Sequence, residues 1–195
     1  MPAFIVLDGP DGSGTSTHAK LLAERLQKEG YAVLLTAEPT DGPVGIQIRE
    51  LLHNEAMDPM SLQLLFTTDR AWHVKEVIAP ALAEGKIVVC DRYWYSTVVY
   101  AEAQGLHSDP LLDLNKKFIQ PDIAIFTMPP LEISLKRVMK RPTQEIFEKE
   151  ELQRNIYGGY LELAAKHPSI VSTVDTSGEK QAVAEEIWNI VQKIL

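Results

Sequence analysis

The sequence predicts an α/β fold, a three-layer sandwich in which a five-stranded, mainly parallel sheet is flanked by helices. Three observations predict it. Short apolar runs alternate along the chain with longer segments of helical periodicity. Those runs are continuously apolar rather than alternating, as in strands covered on both faces. The first of them, Phe4-Ile5-Val6-Leu7, passes through Asp8 into a glycine-rich turn and then an amphipathic helix.

The elements follow in order. Gly9 to Gly14 gives way to a helix from about Ser16 to Lys28, with Ala19, Leu21, Leu22 and Leu26 apolar, ending at Gly30. Tyr31 to Thr36 reads as a second buried strand, and Ala37 to Pro43 as a loop of turn formers. A helix runs from about Val44 to His53, carrying Ile48, Leu51 and Leu52. Pro59 opens a longer one reaching Ala83, with Leu62, Leu65, Phe66, Ala71, Val74 and Ile78 at helical spacing. Lys86 to Cys90 is the third strand; Asp91-Arg92-Tyr93 sits at its carboxyl end, and Trp94 to Gln104 continues as helix. Pro121 leads into the fourth strand, Asp122 to Thr127, then a helix from Leu131 to Lys140. A charged segment, Lys140 to Glu151, precedes a helix around Leu152 to Lys166, a fifth strand from Ser169 to Val174, and a closing helix from Lys180 to Ile194.

Length and composition bound the function. With 195 residues, 45% of them apolar, the chain is expected to form a single domain over 1–195. The net charge of −8 argues against non-specific nucleic-acid binding, so an anionic ligand must be held by a local basic cluster. One cysteine, Cys90, excludes an internal disulfide framework, suits a reducing compartment and reads as an inert core thiol. No apolar run approaches membrane length and the N-terminus lacks a signal-peptide layout, so a cytoplasmic location is expected. His53, His73, His107 and His167 show no metal-ligand spacing, and His18 reads as a surface histidine.

The glycine stretch carries the chemistry. Glycines let the backbone turn tightly and bring N–H groups close to an anion, and the following helix adds unpaired donors and partial positive charge. Asp11, Gly12, Ser13, Gly14, Thr15, Ser16 and Thr17 therefore form a candidate cradle for nucleotide phosphates. The pattern is that of the P-loop, Gly-x4-Gly-Lys-Ser/Thr, except that Thr15 stands in the lysine position. Ligands in such sheets bind beyond the strand carboxyl ends. That edge gathers Asp8, Glu38, Asp91 and Arg92.

Together these segments resemble the thymidylate kinase family of P-loop nucleoside-monophosphate kinases. The resemblance rests on GPDGSGTST at 9–17, TAEPT at 36–40, GIQIRELL at 45–52, LLFTTDRAWH at 64–73 and DRYWYS at 91–96. Tyr100, Gln104-Gly105, Pro121-Asp122 and Gly159 to Leu163 extend it over nearly the whole chain. It implies transfer of the γ-phosphoryl group of ATP to dTMP with Mg2+, a homodimer, and dimer surfaces on the helices Pro59–Ala83 and Trp94–Gln104. It implies that Arg92 lies between the two phosphates, with Asp91 holding its geometry or the metal, and that Asp8 and Ser16 serve the metal. For dTMP it implies stacking on Phe66, a base contact from Arg70 and phosphate contact from Arg49. Ser96, Tyr100 and Gln104 recur every four residues and so share one helix face, from which Ser96 and Gln104 are expected to read the base edge. Tyr100 would crowd the 2′ position, Asp11 would accept the 3′-hydroxyl, and Glu38 and Pro39 would line the pocket. Competing structural readings exist: Phe66 as core, Arg49 as a solvated helix residue, Ser16 as a simple N-cap and Asp8 as strand-end packing.

Three departures from the family pattern stand out: Thr15 for lysine, Glu145-Ile146-Phe147-Glu148 where Asp-Arg often precedes Phe-Glu, and Met128 for an aspartate. The charged segment 140–151 resembles the family's lid. Arg141, supported by Arg137 or Lys140, is the candidate to replace the lost lysine on lid closure, against the reading of a solvated helix face. Two alternatives to dTMP kinase are a kinase for another deoxynucleoside monophosphate and a catalytically weak nucleotide-binding sensor.

Overall fold

The computed structural model describes residues 1–52, 57–140, 147 and 149–195. Among them, five strands form one sheet: β1 (Ala3–Asp8), β2 (Val33–Ala37), β3 (Ile87–Asp91), β4 (Ile123–Thr127) and β5 (Val171–Val174). Their order is β2-β3-β1-β4-β5 and every neighbouring pair is parallel. β1 is central and buried along its whole length, as its unbroken apolar run requires. The register places Leu7 opposite Asp91, Ala37 opposite Asp91, and Asp8 opposite Phe126. The carboxyl ends therefore finish level.

Alternate residues of each strand supply two separate cores. Ala3, Ile5, Leu7, Val89 and Ile125 pack on one face against α1 (Thr15–Lys28) and α9 (Lys180–Val191), through residues such as Leu22, Leu26, Ile187 and Val191. Phe4, Val6, Val88, Cys90 and Phe126 face the other layer. That layer contains α2 (Pro43–Leu51), α3 (Pro59–His73), α4 (Ala79–Ala83), α5 (Trp94–Ala103), α6 (Asp109–Asn115), α7 (Leu131–Val138) and α8 (Glu150–Lys166). Aromatic edges lock it: Phe126 meets Tyr95 and Tyr160 edge-on, each at 5.1 Å between ring centroids.

Several expectations are corrected. The second strand is not buried: β2 pairs only with β3 at the sheet edge, and Leu35 is 44% exposed. The helix opened by Pro59 is not uniform, because Val74–Ile78 forms a π-helical turn before α4. Pro80 lacks the N–H that would bond to the Glu76 carbonyl, and the widened turn accommodates its ring. Helix α6 was not foreseen, although Ser108-Asp109-Pro110 before Leu111 is a helix-start signal. The helix α5 is no exposed dimer surface, since Trp94, Tyr95 and Thr97 to Ala101 are buried within the chain. His18 is buried rather than at the surface; its pKa is lowered by desolvation and then by the charges of Lys180 and Arg137. Cys90 is fully buried, and burial pushes its thiol pKa well up. Met128 is buried in the core. No helix among the described residues is long and apolar enough to cross a membrane.

Candidate active site

The strand-to-helix turn after β1 is built for close approach. Gly14 is the N-cap of α1, with φ at 96° and no side-chain cap. Gly12 has φ at 75°, and a Cβ there would lie 2.5 Å from the Ser134 carbonyl oxygen. Only glycine fits both demands. The first N–H groups of α1 have no intrahelical acceptor, so Thr15, Ser16 and Thr17 present donors at a positive helix end. Ser13 is held from beneath: its Oγ pairs with Thr127 Oγ1 at 2.8 Å, and its carbonyl accepts from Thr176. On the outer side, Arg137 donates to Gly12 O at 3.2 Å and to Thr176 O at 2.9 Å. Arg141 lies outside the described residues, as do Glu145, Ile146, Glu148 and His53.

One cavity of about 500 Å3 runs from this turn to α3. It is lined at one end by Asp11, Gly12, Gly14, Thr15, Ser16 and Thr17, and at the other by Glu38, Pro39, Arg49, Gln63, Phe66 and Arg70. Arg92, Ser96, Thr97 and Tyr100 also line it, and Phe147 packs on Tyr100 edge-on at 4.9 Å.

Arg92 sits in the left-handed region with φ at 69°, immediately after β3, which turns its side chain back over the sheet edge. Its Nη2 donates to Asp11 Oδ1 at 2.8 Å, and its Nη1 to Gly9 O at 2.8 Å and Ser96 Oγ at 3.0 Å. Burial opposes its charge, but Tyr100, Asp11, Tyr160 and Asp8 outweigh that and keep it protonated. Asp11 Oδ2 accepts in turn from Tyr100 at 3.0 Å and Gln153 at 2.8 Å.

Asp8 does not face the cavity. It is fully buried, and its carboxylate accepts from Gly9 N, Ser96 Oγ, Tyr160 Oη, Tyr93 N and Ser96 N at 2.6–3.3 Å. With every lone-pair direction engaged it positions the Asp91-Arg92-Tyr93 turn, which corrects its assignment as a metal ligand. Asp91 is the carboxylate with capacity left: its Oδ1 is buried without a hydrogen-bond partner. Desolvation raises its pKa, against smaller opposing effects from Arg92 and the Ser16 and Thr15 hydroxyls.

At the far end, Arg70 is 1% exposed and embedded in a network. Its Nε and Nη2 donate to Glu38 Oε2 at 2.9 and 2.6 Å, while Nη1 donates to Thr97 Oγ1 and Asn115 Oδ1 at 3.1 and 2.6 Å. His73 pairs with the other Glu38 oxygen at 3.0 Å and with Thr36 Oγ1 at 2.7 Å. Arg49 ties down the turn after the cis Glu38–Pro39 bond, donating to Pro39 O at 2.6 Å and Thr40 O at 2.7 Å.

Gln104 is not brought into the cavity. It caps α5, and its amide donates to Tyr100 O at 2.8 Å. A four-residue spacing accumulates angular drift, so the third residue of the series leaves the face that Ser96 and Tyr100 share. Conversely, Gln63, Thr97 and Gln153 reach the site although sequence reasoning passed over them. A glutamine inside a helical stretch carries no signal that separates a buried position from a solvated one. Thr97 is adjacent to Ser96 and was within reach of the same argument.

A glycine loop between the central strand and a helix, sharing one polar cavity with an arginine and a second binding wall, defines the P-loop kinase class. Residues 7–187 match the profile of the thymidylate kinase family. The chain is 47% identical over 174 residues to a probable thymidylate kinase of Pyrococcus horikoshii, covering 86% of this chain and 85% of that one. It is 43% identical over 196 residues to a probable thymidylate kinase of Pyrococcus abyssi, covering 97% and 95%. It is 39% identical over 194 residues to a thymidylate kinase of a Synechococcus strain, covering 97% and 94%. The chain belongs to the thymidylate kinase family.

Proposed function

We propose that the chain transfers the γ-phosphoryl group of ATP to dTMP, giving dTDP and ADP. An oxygen of the dTMP phosphate attacks the γ-phosphorus, and the bond from that phosphorus to the oxygen bridging to the β-phosphate breaks. The observation that carries this reading is that Arg92, the glycine loop to which it is bonded and the Phe66–Arg70 wall all line one cavity.

In this reading the amides from Gly12 to Thr17 bind the ATP phosphates, and Phe66 and Pro39 enclose the base. Arg92 holds both anions and neutralises charge developing between them; its rigid fork suits two phosphates. Tyr100, anchored on Asp11, occupies the space that a 2′-hydroxyl would need. Arg70, fixed by Glu38, Thr97 and Asn115, keeps one N–H for the base, and Arg49 stands at the rim for the monophosphate. No dedicated base is required, because a phosphate monoester oxygen is already nucleophilic at neutral pH.

Mg2+ fits the residues present. The unpartnered Asp91 Oδ1 and the exposed Ser16 hydroxyl are hard oxygen donors beside the glycine loop, and they would hold it. When bound, it supplies charge neutralisation on the ATP phosphates. Exposed Ile46, Leu64 and Trp72 on α2 and α3 support a homodimer through that face, and the single buried Cys90 supports a cytoplasmic location.

Thr15 in the lysine position favours a second reading, a slow or non-catalytic nucleotide-binding relative. ADP release with ATP, Mg2+ and each of dTMP, dUMP, dCMP, UMP and dGMP separates the two. Turnover with dTMP above the others is the expected result; nucleotide binding with no turnover overturns it.

A further inference from the structure

The acceptor end of the cavity contains a polar side chain whose hydrogen-bonding capacity is unused. Gln63 is 1% exposed and lines the cavity wall. Its carboxamide makes no hydrogen bond to any described residue, and its Nε2 is fully shielded from solvent. The other polar groups on that wall of the cavity are committed: Glu38 to Arg70 and His73, Thr97 to Arg70, Tyr93 to Ile119 O, Ser96 to Asp8, and Arg70 through all but one of its N–H groups. An unpaired carboxamide in a buried position destabilises the fold, and an apolar side chain of equal size would fill the space without that cost. Gln63, Phe66 and Arg70 are spaced by three and four residues along α3, so they share one helix face. A group that weakens the unliganded protein and stands on the ligand-facing side is accounted for when the ligand completes its hydrogen bonds.

We propose that Gln63 reads the nucleobase of the acceptor: its carboxamide turns toward the bound base, so that its carbonyl oxygen accepts from the ring N3–H of a pyrimidine-dione and its amide, shielded in the unliganded protein, donates to an adjoining carbonyl. The inference rests on the cavity being the dTMP site. Phe66 supplies only a ring face and Arg70 only a donor. The Thr97 and Ser96 hydroxyl oxygens already accept from Arg70 and Arg92, and Gln63 adds a carbonyl acceptor for the N3–H.

Gln63→Met preserves volume and removes both groups. The expected result is a KM for dTMP raised about tenfold or more, a KM for ATP unchanged within about twofold, and a higher Tm without ligand. A purely structural glutamine gives the opposite pattern, with Tm lowered and both KM values raised together. An unchanged KM for dTMP overturns the proposal. A second arm changes the ligand instead: the unsubstituted protein should use N3-methyl-dTMP about tenfold less efficiently than dTMP, and equal efficiency overturns the proposal whatever the fate of the variant. Absence of dTMP turnover by the unsubstituted protein is a separate failure, which removes the dTMP reading and this inference with it.

Discussion

Arg92 and Asp11 are joined by a 2.8 Å ion pair across 81 residues of sequence, so the central cation of the cavity is fastened to the glycine loop itself. A second bond, from Arg92 to Gly9 O at 2.8 Å, reinforces the tie. The phosphate cradle and the cation that faces it therefore move as one unit. Preorganisation of this kind puts charge where it develops in the transition state without reorganisation at the moment of reaction.

Arg92→Lys keeps the charge and loses the fork. With Nη1 and Nη2 serving different partners, a single ammonium cannot hold both the loop and a phosphate. We expect kcat to fall about 100- to 1,000-fold with a modest change in Tm, measured by ADP release and thermal melting. A variant retaining full kcat removes Arg92 from the chemistry.

The Arg70–Glu38 pair predicts a stability effect. Both side chains are almost completely buried, at 1% and 3% exposure, and Glu38 also receives His73. Glu38→Gln leaves a buried guanidinium facing a neutral group. Breaking one side of such a pair costs about 3–5 kcal/mol, so Tm should fall by many degrees and the KM for dTMP should rise with it. An unchanged denaturation midpoint would mean that the network relaxes around the loss.

The sheet and the glycine loop were legible because their signals are local. Runs such as Phe4 to Leu7 and Lys86 to Cys90 need no tertiary information to read as buried strands. Edge position is not local, which is why β2 read as buried although one of its flanks is open. The same limit governs the site. Asp11 and Arg70 stood in recognisable motifs, but their partners Gln153 and Asn115 lie on helices whose polar residues look solvated in sequence. Asp8 read as a ligand because a carboxylate at a strand end can serve either role. Only the convergence of Ser96, Tyr160 and Tyr93 upon it decides for packing.

Asp91 carries a pH signature. Burial raises its pKa above the ordinary aspartate value, so the folded protein holds the proton more tightly than the unfolded chain does. Its ionised form therefore weakens the fold at neutral pH, and the penalty vanishes once pH falls below the unfolded value. Asp91→Asn should raise Tm near pH 7.5, with the gain shrinking to nothing as pH drops through the carboxylate range. If Asp91 also holds Mg2+, adding the metal should stabilise the unsubstituted protein and leave the variant unmoved. A lower Tm for the variant at pH 7.5 contradicts the first expectation.

Thr15→Lys tests what became of the missing charge. Thr15 is buried at the first position of α1, at the donor end of the cavity, and its hydroxyl can donate one hydrogen bond but brings no cation. A well-placed donor to developing charge contributes about 100- to 1,000-fold in kcat. If no other group has taken over, Thr15→Lys should raise kcat by something approaching that factor. If Arg141 serves in its place, the two positions should be coupled. Arg141→Ala would then lower kcat strongly in the Thr15 protein and only weakly in the Thr15→Lys protein, a non-additivity that a double-mutant cycle reads directly. Equal losses in both backgrounds would show that Arg141 acts independently of the lysine position, and no loss in either would remove it from catalysis.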